Sequence, residues 1–112
     1  DGTNLLYDHY LSFCDAALGT SAEIPTVTGK VKITIEPGTQ SGKVLRLKGK
    51  GVPNIHGYGT GDFLIYVNIW TPQKLSKEEK AILEKLKDAE NFKPNPTSKD
   101  KGFFERMKDY FN

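Results

Sequence analysis

The sequence predicts a mainly β fold with a C-terminal α-helix: a small antiparallel β-sandwich-like domain followed by one amphipathic helix. Three observations predict it. Short runs that alternate apolar and polar residues recur between Leu5 and Trp70, the two-residue period of half-buried strands. Glycine and proline turn signals separate those runs. Beyond Pro72 the apolar spacing changes to that of a helix with one buried face.

The elements follow in order. From Asn4 to Phe13, the residues Leu5, Tyr7, His9, Leu11 and Phe13 share one face, while Asp8, Tyr10 and Ser12 share the other. His9 reads as a core-edge side chain. Asp15-Ala-Ala-Leu-Gly19 reads as one helical turn ended by glycine. Ala22 to Val27 is a short strand whose Pro25 places it at an edge or a bulge, and Thr28-Gly29 turns the chain. From Lys30 to Ile35, Val31, Ile33 and Ile35 point inward. A loop over 37–42 precedes a strand from Val44 to Lys48 with Leu45 and Leu47 on one face. Phe63 to Trp70 is apolar on both faces, which predicts a central strand, the best buried of all.

Ser76-Lys-Glu-Glu79 carries the spacing of a capping box. Leu75, Ile82, Leu83, Leu86 and Ala89 then mark one stripe. Burying its four large aliphatics is worth roughly 6–12 kcal/mol gross, at about 1.5–3 kcal/mol each, so the stripe is expected to pack on its own sheet or on another copy. The stretch 91–102, with Pro94 and Pro96, reads as a linker. Phe103, Met107, Tyr110 and Phe111 share a face of an aromatic amphipathic tail. The organisation is thus a β-domain over 1–72, a helix over 73–90, and linker plus tail over 91–112.

Composition bounds the function. The 112 residues suit one small domain or a fragment of a larger protein. The Asp1-Gly2 pair is a hairpin turn signal with no strand before it, which reads as a chain cut through a hairpin. Sixteen basic against fourteen acidic residues, net +2, give little support for a nucleic-acid surface. The one cysteine, Cys14, builds no disulfide framework, so a reducing, cytoplasmic compartment is expected. No apolar run approaches the roughly 20 residues of a membrane helix. Glu105 and Asp109 interrupt the basic face of the tail, which weighs against a membrane-surface helix.

Gly49 to Asp62 holds five glycines and leads into Phe63. Such a loop could cradle a phosphate or shape a connection between strands. The phosphate reading fails on spacing: Gly38-Thr-Gln-Ser-Gly42-Lys43 has one residue too few for a Walker loop and enters a strand. Gly57, Gly59 and Gly61 also precede a strand, so no helix N-terminus is there to receive an anion. The remaining role is conformational, with Asp62 anchoring the loop through backbone amides. One cysteine and two isolated histidines make no metal cluster, and no nucleophile elbow is present. Lys48 and Lys50 read as a solvated face. Nothing here suggests an enzyme. Unpaired strand edges and apolar surfaces suit a binding or assembly module. A free-standing peptide-binding module whose tail docks in cis is an alternative.

The segments Asn4-Leu-Leu-Tyr7, Ala16-Ala-Leu-Gly19, Glu23 to Ile33, Pro37 to Pro53, Gly61-Asp-Phe-Leu64, Leu75 to Lys80 and Gly102-Phe-Phe-Glu-Arg-Met-Lys108 resemble the second C-terminal β-domain and tail of the DnaJ family of J-domain co-chaperones. The resemblance covers nearly the whole chain. It implies a homodimeric chaperone that holds unfolded clients and passes them to a DnaK-type ATPase. Dimerisation would map onto Leu75, Ile82, Leu83, Leu86, Ala89 and Phe92, with tail contacts through Phe103, Phe104, Met107, Tyr110 and Phe111. Client contact is sought near Phe13, Leu18, Ile33 and Leu47. The family's His-Pro-Asp J-domain and its cysteine-rich zinc module are absent from this stretch, so no cofactor is expected here. Where many relatives have proline after the aromatic, this chain has Cys14.

Overall fold

A computed structural model describes residues 3–53, 57 and 59–100. The Asp1-Gly2 turn and all five tail-contact residues lie outside them. The chain divides into two compact units, Asp1–Thr71 and Pro72–Asn112.

In the first unit, alternation decides which side of each strand is buried. The elements are β1 (Leu5–Ser12), α1 (Phe13–Leu18), β2 (Thr20–Thr26), β3 (Gly29–Ile35), β4 (Val44–Leu47) and β5 (Phe63–Trp70). One sheet has the order β1-β5-β4 and the other pairs β2 with β3. Ile24, Ile33 and Ile35 from the two-stranded sheet meet Leu11, Phe63, Ile65 and Val67 from the three-stranded sheet, with Ala16 of α1 closing the cluster. Two sheets packed through one shared core make a small β-sandwich.

The strand β5 is central, as its apolar run predicts. Its faces differ, however. Phe63, Ile65 and Val67 are buried, whereas Leu64, Tyr66 and Asn68 on the opposite face are half-buried and Trp70 is exposed. The expected two-sided burial therefore gives way to one core face and one outer face, because the second sheet covers a single side.

The pairings β2–β3 and β4–β5 are antiparallel, and β1 runs parallel to β5. A parallel neighbour requires a long crossover. Here the chain leaves β1 through α1, builds the second sheet, and returns through β4. The register sets Leu5 beside Phe63 and Tyr7 beside Ile65, with Leu47 and Leu45 on the other flank. His9 lies half-buried on this inner face, its ring stacked on Tyr7 at 6.3 Å, while Tyr7 meets Phe63 at 5.9 Å. Pro25 falls within β2, which among the described residues pairs with β3 alone, in keeping with proline's restriction to edges.

In the second unit, α2 spans Lys77–Leu86 and a 3-10 turn spans Glu90–Phe92. The helix is shorter than the spacing predicts. Lys87 is its C-cap, and Ala89 is extended (φ −63°, ψ 140°). Ala89 therefore leaves the helical stripe. Lys93 is also extended, as a residue before proline prefers.

The glycine loop joins β4 to β5 by close backbone approach. A Cβ on Gly51 would lie 2.6 Å from the Thr3 carbonyl oxygen, and one on Gly61 would overlap that same carbonyl. Gly59, by contrast, has open space but φ +83°. Gly61→Ala is therefore expected to destabilise the fold by about 3 kcal/mol, the upper end of the usual overpacking range. Gly59→Ala should cost about 1–2 kcal/mol through backbone strain alone. Urea unfolding midpoints at unchanged slope measure both; equal losses would show that the approach at Thr3 does not constrain the loop.

Candidate functional site

The glycine loop is built to hold itself. The Gly49 N–H donates to Asp62 Oδ1 at 3.0 Å, and Arg46 Nη1 lies 3.2 Å from Asp62 Oδ2. Gly51 donates to the Gly61 carbonyl (2.8 Å), Gly61 to Val52 (3.0 Å) and Val52 to Thr3 (2.9 Å). The Asp62 N–H donates to Asn4 Oδ1 at 2.8 Å. The amides of Gly49, Gly51, Val52, Gly61 and Asp62 thus have protein acceptors. Asp62 anchors the loop from both of its oxygens. No group of three or more His, Cys, Asp or Glu side chains that could hold a metal occurs among the described residues.

The short helix α1 forms without proline at position 14. Ser12 caps it, its hydroxyl accepting from the Asp15 N–H at 3.0 Å, and Gly19 ends it at φ 83°. The Gly38 N–H donates to the Ala16 carbonyl at 2.8 Å, tying the 37–42 loop to the helix. Ala16 faces the core, while Phe13 and Leu18 are exposed at 43% and 77%.

The four residues singled out for client contact do not converge. Ile33 is buried in the core cluster. Leu47 is half-buried and pairs with Phe63 at the start of β5, whereas α1 follows Ser12, which pairs with Trp70 at its end. Eight strand residues separate those ends by roughly 23 Å. Phe13 and Leu18 on α1 remain as accessible apolar surface.

The helix α2 carries the second surface. Its capping box is complete: Ser76 Oγ accepts from the Glu79 N–H at 3.1 Å, and Glu79 Oε1 accepts from the Ser76 N–H at 2.7 Å. The backbone hydrogen bond from Ser76, reinforced by its side chain, holds the Glu79 carboxyl below its ordinary value. Glu78 and Glu79 in the first turn and Lys85 in the last complement the helix dipole. None of the helix's residues is buried. Leu75, Ile82, Leu83, Leu86 and Phe92 are exposed, Ile82 at 59%, and Ala89 is half-buried.

A third surface escaped the sequence reading. The outer face of the three-stranded sheet exposes Leu6 (66%), Tyr10 (65%) and Trp70 (50%), together with Val44. The Tyr10 and Trp70 rings meet edge-on at 6.5 Å. Asn68 Nδ2 donates to Asp8 Oδ1 at 3.2 Å on the same face. The signal was present in Tyr10, an aromatic on the polar face of β1, and in the second apolar row of β5.

Residues 1–72, which hold the whole sandwich, match the family described as DnaJ C terminal domain. The chain belongs to the DnaJ C-terminal domain family. Three similar proteins, each named Chaperone protein DnaJ, extend the likeness past the sandwich. The one from Bacteroides thetaiotaomicron is 53% identical over 112 residues, covering the whole chain and 28% of that protein. The one from Pelagibacter ubique is 50% identical over 109 residues, covering 96% of this chain and 28% of that protein. The one from Salinibacter ruber is 44% identical over 114 residues, covering the whole chain and 29% of that protein. The chain thus spans less than a third of the length of these DnaJ relatives. The likeness to DnaJ in the sequence segments quoted above is borne out, and α2 lies within the stretch these relatives share.

The cap of α2 is testable on its own. Ser76→Ala should cost about 0.5–2 kcal/mol of helix stability. Because Glu79 titrates below its ordinary value in the folded helix, its contribution is complete above the usual carboxylate range. That contribution is lost as pH falls through and below that range. Circular dichroism should show α2 fraying on acidification, with Glu79→Gln blunting that step. A helical signal indifferent to both changes would mean that the box does not hold the helix.

Proposed function

We propose that this stretch contributes homodimerisation and unfolded-client contact to a DnaJ-type co-chaperone. The observation that carries the reading is the exposed stripe of α2 in a chain of this family. Leu75, Ile82, Leu83 and Leu86 offer apolar surface that a capped helix presents as one face, and a second copy offers the same surface in return. Ala89, which leaves the stripe, and Phe92, on the 3-10 turn, would add separate contacts beyond the helix. Client contact falls to Phe13 and Leu18 of α1, with Leu47 as a separate contact; Ile33 supports them from the core. The longer protein would work in the cytoplasm with a DnaK-type ATPase. The role is binding and assembly rather than catalysis.

Light scattering is expected to give a dimer. Leu83→Asp or Leu86→Asp should weaken it by about 2 kcal/mol or more, some thirtyfold in Kd. A wild-type chain that stays monomeric at high concentration removes dimerisation from the reading. For client contact, Leu18→Ser should reduce the suppression of aggregation of an unfolded polypeptide while leaving the dimer intact. Unchanged suppression would remove α1 from the contact.

A further inference from the structure

We propose that Thr3-Asn4-Leu5 is a strap closed over the glycine loop, so that the order of the loop depends on how the chain enters β1. The loop leaves β4 along one arm, residues 48–53, and returns to β5 along a second, residues 59–62. The arms are tied to each other by Gly51 and Gly61, whose amides donate to the carbonyls of Gly61 (2.8 Å) and Val52 (3.0 Å), and by a bridge between Pro53 and Thr60. The strap crosses both arms. On the first, the Val52 N–H donates to the Thr3 carbonyl at 2.9 Å. On the second, the Asp62 N–H donates to Asn4 Oδ1 at 2.8 Å, and the Asp62 carbonyl accepts from the Leu5 N–H at 2.9 Å. Three successive residues thus hold two arms that are far apart in sequence.

Packing beneath the strap follows the same arrangement. A Cβ on Gly51 would meet the Thr3 carbonyl oxygen at 2.6 Å and the Asp62 carbonyl oxygen at 2.7 Å, and one on Gly61 would run into Thr3 itself. Gly51 is buried and Gly61 half-buried, whereas Val52, Pro53, Gly59 and Thr60 are exposed. Glycine stands where the strap and the arms approach backbone to backbone; past the crossing the loop meets solvent. Asp62 carries the crossing on to β4, because its side chain holds the Gly49 amide at 3.0 Å and Arg46 at 3.2 Å. A shift of the chain ahead of Asn4 therefore has a hydrogen-bonded route through Asp62 to Gly49 and Arg46. No described residue between 48 and 62 belongs to the core cluster, so the loop can come free of the strap while the sandwich stays folded.

Amide hydrogen exchange in the full chain tests the strap. Asn4→Ala removes one acceptor, that of the Asp62 N–H. It should raise exchange roughly fivefold or more, the worth of one net hydrogen bond, at Asp62 and in step at Gly51, Val52 and Gly61, whose own acceptors the substitution leaves in place. Asn4→Asp keeps an acceptor and should keep the protection. The dependence should run both ways: Asp62→Ala, which frees Gly49 and Arg46, should raise exchange at the Leu5 amide. Amides of β2 and β3 should hold their rates in every variant. Unchanged exchange in the loop after Asn4→Ala, or a rise at Asp62 alone, overturns the proposal, because the loop is then independent of the entry segment. A rise at β2 and β3 as large as that in the loop also overturns it, making Asn4 a support of the whole fold.

Discussion

The row Phe63, Ile65 and Val67 on β5 is the constraint from which the first unit follows. These three side chains are buried, and they can be so only if β5 has a neighbour on each edge and a second sheet across its inner face. The register supplies the neighbours, β1 and β4. The isoleucines of β2 and β3 supply the opposite wall. Everything at the periphery is arranged around that row. The glycine loop brings β4 to one flank, and α1 carries the chain away from the other and plugs the core with Ala16.

The same constraint explains why exposed apolar side chains of the first unit lie where they do. A core of this size needs one face of each strand and one residue of α1, and it leaves the remaining apolar side chains outside. Phe13, Leu18, Leu6, Tyr10 and Trp70 are accessible for that reason. The helix α2 is the extreme case: it is well capped, yet it buries no residue. Its capping box and its end charges support it locally. Membership of the DnaJ C-terminal domain family is shown over residues 1–72.

Much of this was legible in the sequence, and the reasons differ by element. Alternation located β1, β3 and β4, assigned Val31, Ile33 and Ile35 to the inner side and set Leu45 and Leu47 on one face, while an unbroken apolar run located β5. The Ser76–Glu79 spacing announced the cap of α2. What alternation cannot convey is what lies across from a face. An apolar row reads identically whether a sheet covers it or not, so the outer row of β5 was assigned to the interior. Register was equally hidden: nothing local to Phe13 or Leu47 says that they stand at opposite ends of the sheet. The helix end was misplaced because Ala89 fits the stripe by spacing, while its extended backbone makes it the N-cap of the 3-10 turn over Glu90–Phe92.

The parallel pairing of β1 with β5 also has a temporal side. β2 finds β3 across a two-residue turn, and β4 meets β5 across one loop. By contrast, β1 has no partner among these strands until β5 exists, and nearly the whole unit must be made in between. Contacts so distant along the chain fold slowly, and during synthesis they leave apolar strand surface waiting. A nascent chain of this family would therefore pass through a stage in which Leu5, Tyr7 and Leu11 are uncovered, the condition in which other proteins need help from chaperones.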